Sequence, residues 1–372
     1  MERLFRIIQR FAVVLLFIIL FIYALSEARL LLYPVVLAVL FSYLLYPVSS
    51  WLEKKGIPRI LANFSAIVFA ASIVGTALYI IYKQIDLLAQ QLPRLKEQAE
   101  ANVDRISHFV SSLFGMSASE MKTWLNEQLS AAFENHSVLT DTILPSTTGT
   151  IMAIGLIPVY VFLLLYYRDK LYDFFMMVYP EKKHAKASEV IHEISEVTRR
   201  YMGGVFTVVL ILCVINTVGL LIIGLKFALL LGILSAVCNF IPYFGTLIGA
   251  LFPLAAAFVV GDFPGQILSV VILFLIVQFT ENNILTPSIT GGSVQINPLV
   301  TIISIIAGGM VWGILGMFSV VPIMGMLKIV LEKDDRYKPL AYLLGTSGTE
   351  EHAVTVRKIR RFFRVRKRNG DA

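Results

Sequence analysis

Charged residues are scarce in this sequence, and their scarcity excludes a water-soluble fold. Asp, Glu, Lys and Arg make up 15% of the 372 residues, whereas soluble domains contain about 25%. The mean hydropathy of +0.77 agrees with this shortage. Because too little polar surface exists to cover a soluble globule of this size, the sequence predicts an integral protein of the lipid bilayer.

Cysteine and recognisable catalytic motifs are also scarce. The two cysteines, Cys213 and Cys238, lie in apolar runs without metal-type spacing, and we interpret both as small buried hydrophobic residues. The sequence contains no phosphate-binding P-loop, no HExxH, no GxSxG and no GxGxxG pattern. We therefore expect no enzyme activity, no cofactor and no ATP-driven pumping.

One histidine has acidic neighbours, but they are too few for a metal site. His192 lies at helical spacing from Glu189 and Glu196. A protein metal site needs more ligands that converge on one point. The pattern favours a solvated helix face with salt bridges, and we predict no metal site.

Long uncharged runs predict an all-α polytopic membrane protein. About 20 apolar residues cross a bilayer, and six runs fit single transmembrane helices. These runs are 11–25, 30–52, 60–82, 149–167, 202–225 and 263–280. Two further segments, 227–261 and 298–331, are too long for one ordinary span and predict broken re-entrant hairpins.

Glycine and proline residues indicate where the two hairpins break. Proline removes a helical hydrogen bond and glycine frees the backbone, so helices tend to break at these residues. We expect the first break within 239–245 and the second near Gly308 and Gly309. The residues predicted to break helices or to gate are Pro242, Gly245, Gly308, Gly309 and Pro322. Paired interrupted segments of this kind are typical of transporter binding sites.

Counts of Lys and Arg predict the orientation in the cell membrane. They place both termini and the basic loop 168–200 in the cytoplasm, so the first hairpin opens outward and the second inward. The predicted division of the chain is 1–82 (first three transmembrane helices), 83–148 (extracytoplasmic helical segment), 149–332 (transmembrane core with both hairpins) and 333–372 (cytoplasmic tail).

The extracytoplasmic segment is predicted to be helical and amphipathic. Residues 84–113 have an apolar stripe at helical spacing. A second helix is expected from Ser117, where Glu120 completes a capping box. The stripe either packs against this second helix or contacts another protomer or a partner, and the sequence does not decide between the two.

The tail is strongly basic, with eight Lys or Arg in the thirteen positions 356–368. Such a run usually indicates nucleic-acid binding. Beside a membrane, anchoring to anionic lipid is the favoured interpretation, and we predict no nucleic-acid partner.

A carboxylate within membrane-grade sequence gives the leading candidate site. A charge at bilayer depth costs about 2.5–3.5 kcal/mol on insertion scales, so Glu281 is a functional candidate, although a helix end at the headgroups would also explain it. It could carry a proton, or coordinate Na⁺ together with amide oxygens; the amides alone would suit a neutral solute. The residues predicted to bind the ion or solute are Gln278, Glu281, Asn282, Asn283, Asn239, Tyr243 and Asn297. Glu281 lies roughly 27 Å along its helix, near the inner boundary, and we interpret it as an inner gate or entry site.

Together these residues resemble the autoinducer-2 exporter family, and the resemblance extends along essentially the whole chain. The matching positions are Asn239, Pro242, Tyr243, Gly245, Glu281, Asn282, Asn283 and Asn297, followed by Gly308-Gly309, Trp312-Gly313 and Pro322. In length and style the sequence is most similar to the sporulation-associated, YtvI-like members. The resemblance implies a permease that exports autoinducer-2 or exchanges Na⁺ or Li⁺ for protons, and that assembles as a homo-oligomer such as a pentamer.

The leading hypothesis is therefore an ion-gradient-driven secondary transporter of a small solute or monovalent cation. The alternative is a non-transporting membrane scaffold in sporulation or envelope assembly. Such a scaffold would use residues 84–133 as an interaction module and the basic tail as a lipid anchor.

Overall fold

The structure is a computed structural model built from helices. It describes residues 2–114, 117, 119, 122–124, 127, 148–261, 264–291 and 294–348. Within these residues six helical segments are long and apolar enough to cross a membrane, which confirms an all-α polytopic membrane protein. The predicted helix from Ser117, with Glu120, falls largely outside the described residues, and so does the basic tail 356–368.

The first part of the chain forms helices α1 (Glu2–Glu27), α2 (Arg29–Lys54), α3 (Arg59–Phe114), α4 (Thr148–Tyr166) and α5 (Arg168–Val178). The predicted third span and the predicted amphipathic helix form one continuous α3 of 56 residues. No glycine occurs between Gly75 and Gly115, so nothing frees the backbone where the apolar sequence gives way to the amphipathic one.

The second part forms α6 (His184–Ile223), α7 (Ala228–Cys238), α8 (Gly245–Val260), α9 (Gly265–Thr280), a π-helical turn (Glu281–Leu285), α10 (Thr286–Thr290), α11 (Pro298–Glu332) and α12 (Lys338–Leu344). Helices α7 and α8 form a hairpin, hairpin 1, whose tip is residues 239–244. The break lies where the sequence predicts it, at the segment that contains Pro242.

Hairpin 2 is α11, which reverses direction at Trp312 and Gly313 rather than at Gly308 and Gly309. Gly313 has φ +62° and ψ −142°, a conformation open to glycine alone. Gly308 lies in the first arm, where an added Cβ would be 2.7 Å from the carbonyl oxygen of Gly316 in the second arm. The glycine pair thus allows the two arms to approach closely instead of breaking the helix.

Two further features of hairpin 2 concern its second arm and its reversal. Pro322 lies buried within the second arm, and the helix continues through it to Glu332. At the reversal, the indole Nε1 of Trp312 donates a hydrogen bond to the carbonyl oxygen of Leu25, 2.9 Å away in the last turns of α1. Apart from the contact at this bond, the rest of the chain buries almost none of residues 8–27 of α1.

The distal half of α3 packs against hairpin 1. The stripe residues Leu95, Ala99 and Val103 are buried, and α3 contacts α8 and α7. The predicted stripe therefore binds a surface of its own chain that neither sequence interpretation named.

A buried amide fixes this contact at the open end of hairpin 1. Asn102 Nδ2 lies 3.2 Å from the carbonyl oxygen of Val259 and 3.1 Å from that of Gly261. Both carbonyls belong to the end of α8, where helical carbonyls have no partner within the helix. Beside it, Lys226 Nζ donates to Gln98 Oε1 at 3.0 Å.

Candidate functional site

Glu281 lies inside a continuous helical segment rather than at a helix end. Its side chain is only 9% exposed, and the helical path continues through the π-turn and α10 to Thr290. Wide π-type turns inside helices occur frequently at functional sites. Glu281 is therefore not an exposed residue at a helix end, and its depth in the bilayer stays a prediction.

The carboxylate of Glu281 contacts two residues of hairpin 1. Asn239 Nδ2, at the tip, donates to Glu281 Oε1 at 2.9 Å. Thr246 Oγ1, in the first turn of α8, lies 2.5 Å from Glu281 Oε2 and 3.0 Å from Asn239 Oδ1. The structure thus joins the tip of hairpin 1 to the π-turn through three polar side chains, which we call the Asn239–Thr246–Glu281 ring.

Among the residues that the structure describes, no oppositely charged side chain forms an ion pair with this carboxylate. Between Arg200 and Lys328 the only other charged residues in the sequence are Lys226 and Asp262. Lys226 lies in the connection between α6 and α7, near the opposite end of α9, roughly 24 Å away at 1.5 Å per residue. Glu281 is therefore a buried acid held by neutral polar groups. Burial of an acid costs folding free energy, and a residue retained at that cost is a candidate for function.

The hairpin tip has the backbone geometry that brings Asn239 to Glu281. Tyr243 has φ +67°, which is strained for a residue with a large side chain. An added Cβ on Gly245 would overlap the backbone of Cys238 and Asn239. Tyr243 itself is 56% exposed, and the hydrogen bonds of the ring involve Asn239, Thr246 and Glu281 instead. Strain and close packing at one turn fix the position of the Asn239 amide.

The other predicted site residues on α9 and the π-turn do not join the ring. Asn282 and Asn283 are exposed, and Asn283 Nδ2 donates to the carbonyl oxygen of Phe279 at 2.8 Å. Gln278 is half-buried one turn before Glu281. Solute or ion binding by these three amides stays a prediction.

Asn297 lies at the start of hairpin 2, where it acts as a helix cap. Its Oδ1 accepts a hydrogen bond from Val300 N at 2.8 Å, and its Nδ2 donates to the carbonyl oxygen of Leu343 at 2.6 Å. The first bond satisfies an N–H group of the first turn of α11, and the second joins α11 to α12. These bonds occupy the amide, and binding of a solute by Asn297 stays a prediction.

Thr246 is the residue of the ring that sequence reasoning missed. It follows Gly245 in an apolar segment, and its polarity there was the available signal. Threonine is common in membrane helices, where its hydroxyl often bonds its own backbone. Its importance becomes visible only when the first turn of α8 is placed against Glu281.

Comparison with known proteins finds that the chain is similar to transport proteins. Residues 11–334 match the family described as "AI-2E family transporter". The chain is 30% identical to "Putative transport protein YrrI" of Bacillus subtilis over 310 residues, which are 80% of this chain and 85% of that protein. It is 24% identical to "AI-2 transport protein TqsA" of Escherichia coli over 335 residues, 85% of this chain and 90% of that protein.

Proposed function

The chain belongs to the AI-2E transporter family, and on that premise we propose that it is a secondary transporter driven by an ion gradient. The transported species is a small solute such as autoinducer-2, or Na⁺ or Li⁺ in exchange for protons. The observation that carries the proposal is the burial of Glu281 against the tip of hairpin 1, where no described residue forms an ion pair with it. A buried acid that contacts a broken helix is suited to couple ion binding to movement of that helix.

The family membership and the multi-pass membrane architecture support a role in membrane transport. We further propose the cell membrane as the location, with both termini in the cytoplasm, because Lys and Arg concentrate in loop 168–200 and in the tail. The tail 356–368 would bind anionic lipid, and the assembled form would be a homo-oligomer.

Transport is tested with purified protein in liposomes under an imposed pH gradient, with Na⁺, Li⁺ and autoinducer-like furanones supplied in turn. We expect flux of at least one species that depends on the gradient. Glu281→Gln should abolish the dependence on pH while the protein still inserts, and the exposed Glu97→Gln serves as the control. Full pH-dependent flux in Glu281→Gln would exclude the proposed role of this acid.

The scaffold alternative predicts no flux of any of these species in wild-type protein. Deletion of 84–133 would have separated the two functions if that segment were an independent module. Since α3 packs against hairpin 1 through Asn102, its deletion is expected to damage transport as well. The flux measurement therefore decides between a transporter and a scaffold.

A further inference from the structure

The Asn239–Thr246–Glu281 ring contains three polar contacts, and each is at hydrogen-bonding distance. They are 2.9 Å between Asn239 Nδ2 and Glu281 Oε1, 3.0 Å between Asn239 Oδ1 and Thr246 Oγ1, and 2.5 Å between Thr246 Oγ1 and Glu281 Oε2. A contact of this length between two oxygen atoms is attractive only when a proton lies between them. As three two-centre hydrogen bonds, these contacts need three protons.

Asn239 and Thr246 supply only two of these protons. The amide has one nitrogen, and that nitrogen faces a single contact of the ring, so it supplies one proton there. The Thr246 hydroxyl has one proton and supplies one of its two contacts. The count is the same if the amide is turned over, because its oxygen then faces Glu281 and its nitrogen faces Thr246. The third proton has to come from the Glu281 carboxyl.

With that proton the ring is complete. Glu281 Oε2–H donates to Thr246 Oγ1, Thr246 Oγ1–H donates to Asn239 Oδ1, and Asn239 Nδ2–H donates to Glu281 Oε1. Every buried polar atom of the ring that faces a neighbour then has a matching donor or acceptor. An ionised Glu281 would leave two oxygen atoms in contact with no proton between them, which is repulsive.

Among the described segments that surround Glu281, none carries a cation that would stabilise the ionised form. Thr290 packs against Gly204 and Leu273 against Gly219, so residues 204–219 of α6 run alongside Glu281. Residues 204–219, α7, α8, α9, α10 and 298–327 contain no Lys, Arg, His, Asp or Glu. Helix α3 meets α8 near Val259, roughly 20 Å along α8 from Thr246.

The other titratable groups on these elements are weak acids that are neutral when protonated. They are the thiols of Cys213 and Cys238 and, in the tip of hairpin 1, the phenol of Tyr243. None of them supplies the positive charge that an ionised Glu281 would need.

We infer that the ring is a proton-binding site and that this conformation of the protein is the proton-loaded one, with hairpin 1 latched to the π-turn. When Glu281 releases its proton to water, the Thr246 hydroxyl turns to donate to the carboxylate, and Asn239 Oδ1 is left against Thr246 Oγ1 with no proton between them. This repulsion lies within hairpin 1 and disturbs the tip that contacts the π-turn. The inference deepens the proposed function. It rests on that proposal only for the claim that the contact between hairpin 1 and the π-turn serves transport. Asn239 and Thr246 are positioning residues that hold the proton through Glu281.

Infrared spectroscopy of the full-length protein in lipid tests the inference without any transported species. The difference spectrum between wild type and Glu281→Gln at neutral pH is expected to contain the C=O band of a protonated carboxylic acid, which is lost on titration with alkali. Glu281→Gln is a matched reference because its amide nitrogen donates to Thr246 and its amide oxygen accepts from Asn239. A difference spectrum that contains only carboxylate bands at neutral pH would overturn the inference.

Variants of Thr246 test whether the proton belongs to the ring. Thr246→Val removes the acceptor of the Glu281 proton without altering charge, and we expect the acid C=O band to shift to higher wavenumber. Thr246→Ser retains the hydroxyl and is expected to restore the wild-type band. An unchanged band in Thr246→Val would show that Glu281 does not donate to Thr246, which contradicts the ring.

The same spectra separate the inference from the proposed function. An acid band in protein that transports none of the tested species would uphold the proton site and refute the transporter. Proton-coupled flux in protein without the acid band would uphold the transporter and refute the ring.

Discussion

Phe240 meets Phe318 edge to face, with ring centroids 5.5 Å apart and ring planes at 84°. This contact joins the tip of hairpin 1 to the second arm of hairpin 2. Phe240 is next to Asn239, so the residue that binds Glu281 adjoins the residue that binds hairpin 2. A shift of the tip therefore acts on both contacts.

The Phe240–Phe318 pair is expected to be energetically coupled. Edge-to-face aromatic pairs contribute about 0.5–1.5 kcal/mol beyond their buried area. In a double-mutant cycle of Phe240→Ala and Phe318→Ala, we expect the losses in unfolding free energy in detergent to be non-additive by about that amount. Phe17→Ala, on the exposed face of α1, is the control and should be nearly neutral. Strictly additive losses would show that the two hairpins are not coupled here.

Gly313→Ala should destabilise hairpin 2. A side chain at φ +62° and ψ −142° is strained by about 1–3 kcal/mol, so the thermal unfolding temperature should fall. Gly265→Ala is the matched control, because its Cβ would meet no atom within 4 Å and its φ is not positive. Equal effects of the two substitutions would contradict the assignment of the reversal to Gly313.

Asn102→Ala should loosen the open end of hairpin 1. The variant leaves the carbonyl oxygens of Val259 and Gly261 without this donor, and loss of a buried partner costs about 1–3 kcal/mol. We expect faster amide hydrogen exchange in the last turn of α8. Gln98→Ala, which removes only the exposed contact to Lys226, should leave that exchange close to the wild-type rate.

The contact of Lys333 with α6 should depend on pH in the alkaline range. Hydrogen bonds to Glu189, and then to Glu193, raise the pKa of Lys333 above its ordinary value. Because the folded pKa is the higher one, this stabilisation is fully present below the unfolded pKa, about 10.4, and is lost as pH rises through the folded pKa.

Limited proteolysis near the end of α11 tests this pH dependence. Wild-type protein should become more susceptible in strong alkali, whereas Lys333→Gln should be susceptible already at neutral pH. Lys338→Gln is the control, because Lys338 pairs with Asp335 one turn away in the same segment. A Lys333→Gln variant that resists cleavage as wild type does would refute the role of this ion pair.

Local sequence chemistry predicted much of the fold. Runs of apolar residues located the membrane-grade helices, and Pro242 marked the tip of hairpin 1, because both depend on the residue and its immediate neighbours. The reversal of hairpin 2 was misplaced by four residues, at Gly308 instead of Trp312. A glycine that opens a helix and a glycine that lets two helices approach are identical in sequence, and only the partner helix distinguishes them.

The candidate site was predicted only in part. Local sequence identifies some of its residues, whereas others are identified only by contacts between distant segments. The single acid in a long uncharged stretch identified Glu281, and an amide at a helix break identified Asn239. Thr246 and the docking surface of α3 depend on which distant segments meet, which a single sequence does not reveal. The exposure of Asn282 and Asn283 likewise follows from the rotation of the π-turn rather than from their proximity to Glu281.

The bond from Trp312 to Leu25 joins residues that are 287 positions apart in the chain. At about 5–20 residues per second, a ribosome makes the carbonyl group of Leu25 roughly 15–60 s before the indole that binds it. For that time α1 resides in the bilayer without its partner at the reversal of hairpin 2. Docking of hairpin 2 is consequently a late step of biogenesis, and a chain that stops before Trp312 would leave α1 without this bond.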